Sequence, residues 1–257
     1  MGLIDTKSSD EMIAKIINNL LELLFPSSIY CVSCRSIIDK SRPYALCDKC
    51  MGEFRWANGR TCEKCGKILQ ENYAHDICVD CRESAHQFVK GYTCVQYGLH
   101  EKELLLAFKY GGQAFIGEKI AEVMADRLKP ENLKTDLIIP VPMFRRKQRE
   151  RGYNQAEILA KCLSKKLGLP CACKLLLRVE NTPAMSGLSS AERRLNIEHA
   201  FCVAKSAEDE ITGRRILLVD DIYTTGSTAS ACAQALMEQG ACEVRVITFA
   251  AGANSVK

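Results

Sequence analysis

No apolar run in this 257-residue chain is long enough to cross a bilayer. The longest apolar stretch near the N-terminus, Met12 to Phe25, is broken by Lys15, Asn18, Asn19 and Glu22, and it falls short of the roughly 20 residues that a spanning helix needs. No basic leader and no small-residue cleavage site frame it, so it does not read as a secretory signal, and the expectation is a cytoplasmic protein without membrane insertion. Neither sign of charge dominates. Lys and Arg number 35 against 31 Asp and Glu, a formal +4, and this bulk balance makes no case for nucleic acid. The Walker A string and Gly-x-Gly-x-x-Gly are both missing, which removes the usual nucleoside-triphosphate and dinucleotide sites. What remains is an ordinary globular composition, 47% hydrophobic and 26% charged, at a length suited to one large domain plus something smaller.

Cysteine, by contrast, is abundant. Of 15 cysteines, eight form four Cys-x-x-Cys pairs: Cys31 and Cys34, Cys47 and Cys50, Cys62 and Cys65, Cys78 and Cys81. Twelve residues separate the pairs within each unit, and the unit recurs after 31 residues. Such spacing suits metal better than disulfides. Four thiolates close a tetrahedral site, which zinc favours over the differently spaced iron–sulfur ligand sets. The expectation is a tandem zinc ribbon with two structural Zn²⁺ ions, since a four-cysteine site leaves no coordination position open for catalysis. Sequential pairing fits the repeat best, while a cross-braced pairing would join Cys31 and Cys34 to Cys62 and Cys65. Eight thiolates and two zinc ions together cancel the formal +4. The remaining seven, Cys94, Cys162, Cys171, Cys173, Cys202, Cys232 and Cys242, follow no ligand spacing and read as small buried hydrophobes. Ahead of the ribbons, Ser8 and Glu11 form a capping box, and Met12, Ile13, Ile16, Ile17, Leu20, Leu21 and Leu24 follow at helical spacing up to Pro26, which predicts an amphipathic helix packed on the rest of the protein.

Past residue 90 the pattern alternates. Apolar spacing predicts helices over Glu101 to Lys109, Gly117 to Leu128, Gln155 to Leu167 and Ser227 to Glu238, and strands over Leu137 to Val141, Ile216 to Val219 and Val244 to Ala250. The fold class is therefore α/β, a mostly parallel sheet with flanking helices, preceded by the small ribbon module. Domain limits follow as 1–27 for the N-terminal helix, 28–90 for the ribbons and 91–257 for the α/β domain. In such sheets ligands gather beyond the carboxyl ends of the strands.

Directly after the strand run ending at Val219 come Asp220 and Asp221, read as an acidic turn, and then Thr224, Thr225, Gly226, Ser227 and Thr228 opening the next helix. Small residues let backbone N–H groups turn onto an anion, hydroxyls add donors, and the helix start carries partial positive charge. Two carboxylates beside an anion loop make sense if they accept from hydroxyls or face a divalent cation. A phosphorylated sugar meets both demands. A second segment, Arg145, Arg146, Lys147, Gln148, Arg149, Glu150, Arg151, packs five cations into seven positions after the strand over Leu137 to Val141. It reads as a basic loop on the same sheet edge, able to hold a diphosphate or a nucleic-acid backbone.

The string from Ile216 to Thr228 resembles the phosphoribosyl-diphosphate site of type I phosphoribosyltransferases. With the double ribbon, with Pro140-Val141-Pro142 followed by Arg151-Gly152-Tyr153-Asn154-Gln155, and with Glu192-Arg193-Arg194-Leu195-Asn196, nearly the whole chain resembles the ComF competence family. That resemblance implies a phosphoribosyltransferase-like domain fused to zinc ribbons, with a role in carrying incoming single-stranded DNA. It also implies that Asp220 and Asp221 contact ribose hydroxyls and that Thr224 to Thr228 hold the 5-phosphate. Arg145, Arg146 and Lys147 would stabilise a departing diphosphate bridged by Mg²⁺, and Lys109 in Lys109-Tyr110-Gly111-Gly112 matches the family's early lysine. The partners implied are phosphoribosyl diphosphate or a related phosphorylated ribose, single-stranded DNA and DNA-uptake proteins. Tyr30, Tyr44, Phe54, Trp56 and Tyr73 are candidates to stack on bases, or to pack between the zinc modules. One departure stands out: where the family carries Gln, this chain has Met185 within Thr182-Pro183-Ala184-Met185-Ser186-Gly187-Leu188, which removes an amide from the segment implied to form a hood. The alternative function is phosphoribosyl transfer in nucleotide salvage, with no part in DNA handling. No base-recognition pocket is legible, so the acceptor has no name at this level.

Overall fold

A computed structural model describes residues 29–110, 115–179, 200–204 and 208–254. The N-terminal helix expected over Met12 to Leu24, the Gly111-Gly112 turn and the segment around Met185 lie outside them. The chain divides into two compact units, 1–51 and 52–257.

In the first unit, Cys31 N–H donates to Ser36 O and Arg35 N–H to Cys31 O, at 2.8 and 3.0 Å. This knuckle leaves Arg35 at φ 64°. Helix α1 (Asp48–Glu53) then carries Cys50 back towards Cys31 and Cys34.

In the second unit the same knuckle recurs one period later, with Cys62 N–H on Lys67 O and Gly66 N–H on Cys62 O. Gly66 takes the left-handed place of Arg35, at φ 77°. Here only glycine fits, because a Cβ would lie 2.8 Å from Thr93 N and 2.9 Å from Gly91 O. Helix α2 (Val79–Glu83) closes this ribbon.

Four parallel strands make the central sheet: β1 (Gly91–Gln96), β2 (Leu137–Pro140), β5 (Arg215–Tyr223) and β6 (Glu243–Ala251), in the order β1-β6-β5-β2. Two short strands, β3 (Leu176–Arg178) and β4 (Phe201–Val203), form a separate antiparallel pair. Helices α3 (Leu99–Tyr110), α4 (Ile116–Leu128), α5 (Arg145–Arg151), α6 (Gln155–Leu167), α7 (Glu208–Ile211) and α8 (Ser227–Glu238) are the remaining described α-helices, and short 3-10 turns cover Pro43–Ala45 and Lys129–Glu131. Ile216, Leu218, Val244 and Val246 share a core with Cys232, Ala233 and Leu236 of α8. Their alternates Leu217, Val219, Ile247 and Phe249 are equally buried and by strand geometry point to the opposite face, where α4 packs on β1 and β6 and α6 on β2 and β5. Burial of both faces explains why these strands read as unbroken apolar runs.

The second ribbon is fused to this sheet. The open edge of β1 is covered by the segment at 55–57, where Ala57 N–H donates to Cys94 O and Gln96 N–H to Arg55 O, each at 2.8 Å. Phe54 and Tyr73 are buried in this unit, and Trp56 forms a bridge to Val95.

Three expectations change. The acidic turn is strand: β5 runs on through Asp220 and Asp221 to Tyr223, because β6 continues beside it and pairs Asp220 with Thr248, Ile222 with Ala250 and Tyr223 with Ala251. The basic loop is helix: α5 is closed by Gly152 in the left-handed region and carries an Arg146–Glu150 pair of 2.9 Å one turn apart. Third, β1 and the β3–β4 pair were not expected, the latter having only three residues per strand. Among the remaining cysteines only Cys94 and Cys232 are buried, and Cys242 is exposed. Among the described residues no helix is long and apolar enough to cross a membrane.

Candidate functional site

The carboxyl end of β5 carries the predicted acidic pair. Consecutive strand residues point to opposite faces, so Asp220 and Asp221 meet different surroundings. Asp221 forms an ion pair with Lys109, both side chains being largely buried at 13% and 18% exposure. Asp220 accepts from the Asp221 N–H at 2.8 Å. Burial, and then the charge of Asp221, pushes the Asp220 carboxyl well above the usual carboxylate range. The Arg178 guanidinium, itself shifted down by burial, lies within electrostatic reach of Asp220 and stacks on Phe201 at 5.4 Å.

Beyond Tyr223 the chain turns sharply into α8. Gly226 sits at φ 83° as the N-cap, Ser227 is buried, and Thr225 Oγ1 lies 3.0 Å from Ser227 Oγ. Thr224 is exposed and Thr228 half-buried. The first-turn N–H groups of a helix have no partners within the helix itself, so this turn offers an anion backbone donors with adjacent hydroxyls.

One short stretch of α3 ties the site together. Phe108 O accepts from the Tyr153 hydroxyl, Lys109 pairs with Asp221, and Tyr110 carries the Arg151 guanidinium over its ring at 4.9 Å. The five residues Arg151 to Gln155 thereby acquire local reasons. Arg151 also donates to Gln155 Oε1 at 2.6 Å, Gly152 ends α5, Tyr153 reaches α3, and Asn154 caps α6 by accepting from Ala156 N–H at 3.2 Å while donating to Val141 O at 3.0 Å. This string joins α3, α5 and α6.

Helix α5 springs from the same sheet edge as the anion turn, since Pro140 pairs with Val219 and Val141 N–H donates to Val219 O at 2.9 Å. Arg145, Arg146 and Arg149 line a cavity of about 640 Å³ with Lys174, Arg178 and Glu157. Neither Lys147 nor any of Asp220, Asp221 and residues 224–228 is part of its wall. The structure thus brings Lys109, Asp220 and Asp221 together, and gathers Arg145 and Arg146 around a neighbouring cavity. Sequence reasoning missed Arg178 and Tyr110. Arg178 lies in a three-residue strand with no periodic signal, whereas Tyr110 was visible within the Lys109-Tyr110-Gly111-Gly112 string.

Both cysteine sets close. Cys31, Cys34, Cys47 and Cys50 form one group and Cys62, Cys65, Cys78 and Cys81 the other, with the sulfurs of each group within 4.8 Å of one another. Cys34 to Cys47 and Cys65 to Cys78 are both 3.6 Å apart, against about 3.8 Å for the edge of a tetrahedron with Zn–S bonds of about 2.3 Å. The donor sets fit two closed structural zinc sites, and the pairing is sequential, not cross-braced.

Residues 20–82 match the double zinc ribbon domain and residues 119–257 the phosphoribosyl transferase domain. Competence protein F of Haemophilus influenzae is 32% identical over 221 residues, 84% of this chain and 94% of that protein. The chain belongs to the ComF competence family. Within the family it is also similar to competence protein ComFC of Bacillus subtilis, at 30% identity over 76% of this chain and 79% of that one. The DNA utilization protein YhgH of Escherichia coli K12 is 27% identical over 79% of this chain and 88% of its own. Among solved structures, an adenine phosphoribosyltransferase aligns over 57% of this chain and 76% of its own, at 17% identity and a TM-score of 0.36.

Proposed function

We propose that this ComF-family chain binds phosphoribosyl diphosphate, or a related phosphorylated ribose, at the carboxyl end of β5 and acts in the cytoplasm in DNA uptake. The observation that carries the reading is the Lys109–Asp221 pair at the foot of the anion turn. Two bare carboxylates would repel a phosphate there. With Asp221 balanced by Lys109, the turn can accept an anion while the carboxyls accept from sugar hydroxyls. In this reading Thr224, Thr225, Gly226, Ser227 and Thr228 hold the 5-phosphate, and Asp220 and Asp221 orient the ribose. Arg145, Arg146 and Lys147 draw off the charge of the diphosphate. Mg²⁺, when bound with the substrate, supplies charge neutralisation on the diphosphate oxygens. The ribbons (28–90) and the transferase-like domain (91–257) serve one task in this scheme, following the N-terminal helix (1–27).

Pyrophosphate release tests the chemistry. Incubation with Mg²⁺, phosphoribosyl diphosphate and a panel of nucleobases is expected to release pyrophosphate if transfer is retained, and Asp221→Asn with Thr225→Ala is expected to abolish it. Saturable binding without release would make the site a ligand sensor, and no binding at all would sink the proposal.

A role with DNA rests on the relatives named for competence and DNA utilization and on the exposed cations of α5. Single-stranded DNA affinity measured across a salt series is expected to fall less steeply in an Arg145/Arg146/Lys147 alanine variant, the log–log slope flattening by about 2. Identical slopes would remove α5 from DNA binding. Nucleobase-dependent release together with no DNA affinity would favour nucleotide salvage instead.

A further inference from the structure

The second ribbon reaches the anion turn through a short chain of packed side chains. Tyr223, the last residue of β5, is 3% exposed, and its hydroxyl lies 3.3 Å from His86 Nε2. His86 stacks on Phe88 with ring centroids 5.1 Å apart, and Phe88 meets the Tyr223 ring edge-on at 6.3 Å. The Lys67 ammonium sits 5.7 Å from the centre of the same ring. Lys67 belongs to the Cys62–Cys65 knuckle, where its carbonyl accepts from Cys62 N–H at 2.7 Å. Its Nζ pairs at 2.5 Å with Asp80, which lies between Cys78 and Cys81. On the other side, the space a Cβ would occupy at Gly226 is taken by the Tyr223 hydroxyl, with His86 Cε1 2.8 Å away. Gln87 N–H donates to Ser230 Oγ of α8 at 3.0 Å.

We propose that the Cys62–Cys81 ribbon is a positioning element for the anion turn, with Tyr223, His86 and Lys67 as the positioning residues that hold Gly226 and its neighbours in their binding shape. The physical reason is that the turn packs directly on these side chains. Gly226 is held at φ 83°, and the surface it rests on is the Tyr223–His86 pair. That pair rests in turn on a small module whose folding depends on its metal. A ribbon fixed in this way pre-organises the donors of the turn, so less of the binding energy is spent on ordering them. This inference builds on the reading of residues 224–228 as a phosphate site and adds what sets their affinity.

The test uses the full-length zinc-loaded protein and the variants Tyr223→Phe, His86→Ala and His86→Gln. Three quantities are measured: amide hydrogen exchange over residues 224–230, dissociation constants for Mg²⁺ with phosphoribosyl diphosphate by calorimetry, and zinc content. Tyr223→Phe and His86→Ala are expected to speed exchange in the turn and to weaken binding about three- to tenfold while both zinc ions are retained. His86→Gln, which restores a hydrogen-bonding partner, is expected to recover most of both. Unchanged exchange in Tyr223→Phe and His86→Ala would overturn the proposal, whatever the protein binds. Faster exchange in a protein whose wild type fails to bind the diphosphate would uphold the clamp and refute the functional reading instead.

Discussion

Asp136 and Arg215 show how much a single pair can fasten between two strands. The Asp136 carboxylate accepts from Arg215 three times, from Nε at 2.9 Å, from Nη2 at 2.6 Å and from the backbone N–H at 2.8 Å. The Arg215 side chain, followed by its backbone N–H, holds the Asp136 carboxyl well below the usual carboxylate range. A depressed folded-state pKa contributes stability that is present above the unfolded value of about 3.9 and is lost as pH falls through and below it. Asp136→Asn is therefore expected to lower the melting temperature at pH 7, with the gap to wild type closing below about pH 4. Melting curves of both proteins at pH 7 and pH 3 check it. Neither residue stood out in the sequence, because an ion pair 79 positions apart leaves no local pattern. Asp220 and Asp221 did stand out, yet their different fates were hidden. The placement of Lys109 against Asp221 separates them.

Elements were legible in proportion to their apolar stripes. The expected bounds of α6 and α8, Gln155 to Leu167 and Ser227 to Glu238, match the structure, since both helices lay a periodic face on the sheet. Helix α5 has no such face, its seven residues all being polar, and so it escaped notice. Strand β5 was cut short at Val219 because charge interrupts its apolar run, although the ladder to β6 continues for four more residues. The start of α6 depends on Asn154, whose side chain both caps the helix and ties it to Val141. Asn154→Ala is expected to cost about 1–2 kcal/mol, read as a lower urea midpoint with an unchanged slope. The capping role could be suspected from Asn preceding an apolar stripe, but the bond to Val141 could not.

At the scale of the whole molecule, zinc is expected to be part of the fold. Metal analysis of the purified chain should find two zinc ions per protein, and Cys34→Ser or Cys65→Ser should each retain one. Retention of two by either variant would contradict the closed four-cysteine sites. Local spacing by itself determined these ligand sets and the α/β class, because a knuckle and an apolar stripe are each written within a few consecutive residues. Tertiary structure decided the rest. It chose sequential over cross-braced pairing, paired Asp221 with Lys109, made Arg151 to Gln155 a joint, and set the second ribbon under Tyr223. The Lys109–Asp221 and His86–Tyr223 contacts join residues more than a hundred positions apart, within a sheet ordered β1-β6-β5-β2 that has no counterpart in any local spacing.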